Sequence, residues 1–286
     1  MLSATGLGSI EVYRRPIAAL IAVGNEFRGC DEDYPAAEPS GAQSRYPHGS
    51  PGDDVGRSGT EACSPASNLV ALASWCRNNG IHPLLRVAGD MIGEITRILE
   101  QSLETADAII TIGGTGEGPR DIVLRALAEL HWDPMFKGVK LLPGRTTSFG
   151  LLKRRPVFAL PGAPVANETA FLLIALPGLK RLAGSIEPPL FDVPVQITWE
   201  DPRSPERSRF TEALRIRITR GGPWLLARPL SKARARGRLA ALAGAHGIIL
   251  LGPGDPGVSR GEVRHALVLD PRWAGGPASA NQPPEA

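Results

Sequence analysis

A short apolar run, Ala108 to Ile112, empties into Gly113-Gly114-Thr115-Gly116-Glu117-Gly118, where four of six residues are glycine, and Pro119, Arg120 and Asp121 follow. A strand of that kind is buried on both faces. In open α/β sheets the crevice beyond the carboxyl ends of the strands is where ligands sit, because loops and helix N-termini converge there with unpaired amide groups. A second apolar strand, Val157 to Leu160, runs into the tight turn Pro161-Gly162-Ala163-Pro164, and a helix opens after it with Asn167 and Glu168. Lys140 and Arg145 fall between the two glycine turns in the sequence. If both turns lie on one side of a parallel sheet, they form a crevice with amide donors and cations, suited to a phosphate or another oxyanion.

The surrounding pattern supplies that sheet. Pro16 to Phe27 reads as a strand, a turn and the start of a ligand-side loop, with Asn25 and Glu26 closing the strand. Residues 66–79 read as a helix with Leu69, Leu72, Ala73 and Cys76 at helical spacing, Ser67 or Asn68 as its cap, and Gly80 as its end. The run from Ile81 to Asp90 is a second strand, and Met91 to Glu104 a second helix with Ile92, Ile95, Ile98 and Leu99 on one face. Asp107 to Ile112 is the third strand, so the order is β-α-β-α-β, which the crossover rule makes a parallel sheet. Asp121 to Leu130 follows as a helix with Ile122, Leu124, Leu127 and Leu130 expected inward. Asp121 then lies near the amino end, where the helix dipole alone would favour a carboxylate.

After a linker, Gly184 to Pro189, the pattern changes to five short strands: Phe191–Trp199, Thr211–Thr219, Trp224–Pro229, His246–Leu251 and Glu262–Leu269, with a short helix at 239–243. A small β-barrel is the expectation. The domain reading is an N-terminal segment at 1–16, an α/β domain at 17–184, a β domain at 188–270 and a disordered tail at 271–286. Residues 31–65, rich in Pro, Gly, Ser and acidic residues, read as a disordered insertion in the first domain, with a lid over the crevice as the functional alternative.

At 286 residues, with Lys and Arg exceeding Asp and Glu by three, the chain has ample core and too little basic excess to imply nucleic acid. No apolar run approaches the roughly 20 residues that span a bilayer. Cys30, Cys63 and Cys76 form no CxxC pair, and His82, His131, His246 and His265 show no ligand spacing. The expectation is a cytoplasmic protein. A dehydrogenase reading has little support, because the glycine run lacks GxGxxG spacing and no acidic residue follows about 20 positions later at a second strand end.

Three segments together carry a resemblance. TIGGTGEGPRD resembles the signature of the molybdopterin-binding fold shared by molybdopterin adenylyltransferases and molybdopterin molybdotransferases. GRTTSFG followed by RPVFALPGAPVANETAFLLIALPGLKRLAG is similar to the second signature of the molybdotransferases, and RSRFTEALRIRI, RGRLAALAGAHGIILL and GEVRHALVL resemble the small barrel that follows there. The resemblance covers residues 16–270 apart from the insertion. It implies a three-layer α/β/α domain with a mostly parallel sheet, then a barrel-like domain. It also implies molybdenum cofactor biosynthesis: molybdopterin or adenylylated molybdopterin bound with Mg²⁺, and molybdate joined to the dithiolene as the nucleotide leaves. A non-catalytic carrier that hands the cofactor to a partner enzyme is the alternative. Homo-oligomers and molybdoenzyme or cofactor-assembly partners come with the same family.

Carried over by position, Gly113, Gly114, Thr115 and Gly116 would hold the pterin phosphate by backbone amides. Asp121 matches the acidic residue of that loop, able to position a metal cation or polarise a water. Glu26 matches the acidic residue of the first loop, Asn68 the asparagine that starts the first helix, and Pro161, Gly162 and Pro164 the second loop. Arg145 stands for a family lysine. The sequence also departs from the pattern: Asn25, Ala66, Leu142, Pro119, Ala163 and Ala166 stand where the family has charged or hydrogen-bonding residues. Each swap removes a group that would hold an oxyanion. The two N-terminal domains of the full molybdotransferase have no counterpart in the sequence.

Overall fold

The computed structural model describes residues 9–27, 66–115, 121–230, 242 and 244–273. The expected insertion at 31–65 therefore lies outside the described residues, as do Gly116, most of the expected helix at 239–243 and all but the start of the expected tail.

The α/β part runs β1 (Ile17–Val23), α1 (Ser67–Asn78), β2 (His82–Ala88), α2 (Ile92–Thr105), β3 (Ala108–Ile112) and α3 (Ile122–Glu129). It continues with β4 (Asp133–Lys137), β5 (Leu141–Leu142), β6 (Ser148–Leu152), β7 (Arg155–Leu160), α4 (Pro164–Ala170) and α5 (Leu176–Leu182). Six strands form one sheet in the order β2-β1-β3-β7-β6-β4. The first four are parallel, in a register that aligns Val23 with Ala88, Ala22 with Ile112, and Ile112 with Leu160. Their carboxyl ends therefore share one edge. β6 and β4 complete the sheet as antiparallel strands, which makes it mixed.

β1 shows why the sheet needs helices on both faces. Ala18, Leu20 and Ala22 pack with Leu69, Leu72 and Cys76 of α1 and with Phe171, Leu176 and Leu179 near α5. Ala19, Ile21 and Val23, pointing the other way, pack with Ile95 and Leu99 of α2 and Val123 and Leu127 of α3. Three layers result. The Cys76 thiol lies inside the first of these cores, and burial pushes its pKa up to about 12, so it acts as a small apolar residue.

Two local expectations need correction. The inward set of α3 is Val123, Ala126 and Leu127, while Ile122, Leu124 and Leu130 are only partly buried. The helix is rotated so that its smaller residues meet the sheet. Neither Ser67 nor Asn68 caps α1; Ala66 holds the cap position without a side-chain bond, and Asn68 is engaged elsewhere. Between α4 and α5, Phe171–Ala175 forms a π-helical turn just before Pro177. Such turns absorb the hydrogen bond a helical proline cannot make.

The second part runs β8 (Phe191–Ile197), β9 (Asp201–Pro202), β10 (Thr211–Gly221), β11 (Trp224–Pro229), β12 (Gly247–Leu251), β13 (Gly257–Val258) and β14 (Val263–Val268). The order β11-β8-β14-β12-β10 closes through a β10–β11 pairing, giving a five-stranded barrel. β5 pairs in parallel with the start of β10, Leu141 and Leu142 against Thr211 and Glu212. A buried ion pair reinforces that seam: Arg215 of β10 meets Glu168 of α4 at 2.7 Å, and Trp75 of α1 donates its indole N–H to the same carboxylate at 3.1 Å.

Candidate functional site

The two glycine turns meet. The Gly113 N–H donates to the Leu160 carbonyl at 3.0 Å, and the Thr115 hydroxyl donates to the same carbonyl at 3.3 Å. A Cβ on Gly162 would lie 3.3 Å from the Gly113 Cα. Contact that close is tighter than most side chains make, and a larger residue would push the two turns slightly apart. Gly113 and Gly114 both take left-handed backbone, φ 90° and 65°, which side chains disfavour. The Gly113 amide is committed to extending the sheet, so Gly114 and Thr115 are the loop's candidate donors among the described residues.

Side chains lace the rest of the rim to these turns. Asn68 donates to the Gly162 carbonyl at 2.7 Å, and Asn167 to the Pro161 carbonyl at 2.9 Å. The Asn25 side-chain oxygen accepts from the Asp90 N–H at 3.1 Å, tying the loop after β1 to the loop after β2. Asn68 therefore has a positioning task in the structure that a cap assignment would have missed.

The β3 loop divides the rim into two compartments. One, about 300 Å³, has Glu26, Ser67, Asn68, Gly113, Gly114 and Gly162 on its walls. The other, about 570 Å³, carries Lys137, Lys140 and Arg145 with the hydroxyls of Thr115, Thr146 and Ser148, and Asp121 at its side. Lys140 and Arg145 thus join the glycine loop as expected, but on the side away from Gly162. Pro161 is buried beneath the second turn, and Pro164 opens α4. Lys137 was not singled out by sequence. It sits on β4, a strand of mixed polarity without an apolar alternation, and only the antiparallel β4–β6 pairing turns it toward the loop.

The carboxylates separate. Asp121 caps α3, accepting from the Leu124 N–H at 3.4 Å. Burial raises its pKa, against the lowering effects of that bond and of the Lys137 charge. Glu26 lies in the other compartment with its side chain folded over Gly24. Glu168, which opens the second turn's helix in sequence, is turned inward to Arg215 and Trp75 and does not reach the rim. Among the described residues no group of three or more His, Cys, Asp or Glu side chains is placed to hold a metal ion. Asp121 is the one carboxylate, among those residues, on the wall of the cationic compartment. No described helix is long and apolar enough to cross a membrane.

Residues 54–181 match the family described as the probable molybdopterin binding domain. That stretch, somewhat under half of the chain, is similar to the domain the family describes. The match includes both glycine turns and the cationic compartment, and begins after β1 and Glu26. Beyond it, the chain is 23% identical to a molybdopterin molybdenumtransferase of Staphylococcus aureus over 273 residues, 94% of this chain and 58% of that protein. A molybdopterin molybdenumtransferase of Nostoc is 26% identical over 188 residues, 64% of this chain and 37% of that one. The fold also matches the molybdopterin biosynthesis MoeA protein of Pyrococcus horikoshii, with TM-score 0.67 and 22% identity over 94% of this chain and 58% of that one. The chain thus spans between about a third and three fifths of the length of these relatives.

Proposed function

We propose that the chain binds molybdopterin or its adenylylated form across the rim and takes part in inserting molybdate into it, as a molybdotransferase-like protein of molybdenum cofactor biosynthesis acting in the cytoplasm. The observation that carries the reading is the convergence of the Gly113–Thr115 and Pro161–Ala163 turns on one edge, with Lys137, Lys140 and Arg145 beside them. Phosphates on the ligand would meet the Gly114 and Thr115 amides and the three cations. Asn68, bonded to the Gly162 carbonyl, would hold the second turn against α1.

Asp121 fits the role of a positioning carboxylate for Mg²⁺ borne by the ligand's phosphates; when bound, that ion would neutralise charge on the leaving phosphate. The protein's own part is to fix the phosphates and to keep the Lys137 and Lys140 ammonium groups close to them. Glu26, in the other compartment, would face the part of the ligand remote from the cations.

A second reading, a carrier that binds the pterin nucleotide and passes it on, is favoured by Ala163 and Ala166, which bring only methyl groups to the second turn. The deciding experiment incubates the full chain with adenylylated molybdopterin, Mg²⁺ and molybdate. AMP release with metal incorporation supports the transferase; stoichiometric binding without turnover supports the carrier. Failure to bind the nucleotide at all removes both.

A further inference from the structure

The outer face of the β10–β11 hairpin sets two arginines side by side. Ile216 and Ile218 of β10 turn into the barrel core, as do Leu225 and Ala227 of β11. Alternation puts Arg217 and Thr219 of the first strand, and Trp224, Leu226 and Arg228 of the second, on the opposite side. The antiparallel register sets Arg217 directly across from Arg228, Thr219 across from Leu226 and Gly221 across from Trp224.

Two residues earlier on the same side of β10, Arg215 is buried against Glu168 of α4. Arg217 and Arg228, by contrast, are exposed, and neither forms an ion pair with a described residue. Between Glu212 and Asp255 the sequence holds eight Lys and Arg and no Asp or Glu, so the connection from β11 to β12 brings no carboxylate to them. Like charges directly opposite one another weaken a sheet, so folding supplies no reason for the pair. Beside it the face turns apolar: Leu226 folds over Gly221, where a Cβ would have no room, and Trp224 is 45% exposed.

Exposed arginines beside an exposed indole are the side chains from which protein interfaces draw most of their binding. The guanidinium fork pairs best with a carboxylate, two N–H groups to two oxygens. Nucleic acid and anionic lipid fit this face less well, because each is held by many cations spread along a backbone or a headgroup plane. Here two cations flank an apolar strip.

We propose that the outer face of the β10–β11 hairpin docks an acidic segment of a partner protein, with carboxylates on Arg217 and Arg228 and an apolar side chain against Leu226 and Trp224. The docking does not depend on what the rim binds.

The test uses the full chain and a fluorescein-labelled peptide of alternating glutamate and leucine, read by fluorescence anisotropy at low salt. One saturable site per chain is expected, with glutamine in place of glutamate weakening the peptide roughly tenfold, the worth of two exposed ion pairs. The double variant Arg217→Gln, Arg228→Gln should lose the same, roughly tenfold, and Trp224→Ala should weaken the peptide further. Arg97→Gln, at an exposed position of α2, should leave it unchanged. Urea unfolding checks that the double variant is folded; if it is not, Arg228→Gln alone carries the test with a loss of roughly threefold. Absence of saturable binding by the wild-type chain overturns the proposal. So does equal affinity in the arginine variants, or tighter binding of single-stranded DNA or phosphatidylserine vesicles than of the peptide.

Discussion

Replacing Gly114 with alanine tests whether the β3 loop is held by contact as well as by backbone conformation. Gly114 has φ 65°, and a Cβ there would lie 2.6 Å from Val123 Cγ2 and 3.2 Å from Ile122 Cγ1, both on the first turn of α3. The left-handed conformation costs an alanine about 1–2 kcal/mol. Forcing a methyl group against packed side chains adds about 1–3 kcal/mol, so the total is about 2–5 kcal/mol. Gly222, in the turn between β10 and β11, supplies the control: φ is 60° and nothing lies within 4 Å of its Cβ position. Gly222→Ala therefore loses only the backbone contribution, about 1–2 kcal/mol. Any stabilisation from a less flexible unfolded chain acts equally on both variants. Urea unfolding with linear extrapolation should place Gly114→Ala below Gly222→Ala by about 1–3 kcal/mol. Binding of adenylylated molybdopterin should weaken in Gly114→Ala alone, because relief of the clash moves the loop away from α3 and Asp121. Equal stability and equal affinity in the two variants would refute the packing argument.

Three further predictions concern the cations and the buried charges. Lys137→Ala and Lys140→Ala, both exposed, should each weaken nucleotide binding about three- to tenfold at low salt, with the difference shrinking in 0.5 M salt, about a 4–5 Å screening length; equilibrium titration at two ionic strengths reads this. Asp107 is partly desolvated, which would raise its pKa, yet bonds from Arg14 and the Ile17 N–H and the charges of Arg14 and Arg155 hold it below the ordinary value of 3.8. Its contribution is therefore present above that value and is lost as pH falls through the lowered folded value, so Asp107→Asn should flatten the acid limb of a stability-against-pH curve measured by urea unfolding. Breaking the Arg215–Glu168 pair with Glu168→Leu should cost about 3–5 kcal/mol by leaving a buried arginine unpaired, while the double variant with Arg215→Met should lose much less than the sum of the two single changes, as a double-mutant cycle in urea would record.

The parallel core of the fold was legible because its signals are local. β1, β3 and β7 are near-continuous apolar runs, and α1 and α2 show their buried residues at helical spacing, so a parallel sheet with a shared rim followed from the crossover rule. The five barrel strands were equally plain from alternation. What sequence hid depends on pairing across distance. β4 reads Asp-Pro-Met-Phe-Lys and has no buried residue, so nothing local marks it as a strand, and with it Lys137 was missed. α3 is apolar nearly all round, so its pattern did not fix which face meets the sheet. Asn68 could be read as a cap by type; only its approach to Gly162, 94 residues away, reveals that it ties α1 to the second turn. The split of the rim into two compartments, with Glu26 and Asp121 apart, needed the three-dimensional path of the Gly113–Thr115 loop.

The most direct measurement is a crystal structure of the full chain with adenylylated molybdopterin bound. The account predicts phosphate oxygens within hydrogen-bond reach of the Gly114 and Thr115 amides and flanked by Lys137, Lys140 and Arg145. A nucleotide seated anywhere that leaves the edge beyond β3 and β7 empty would contradict it.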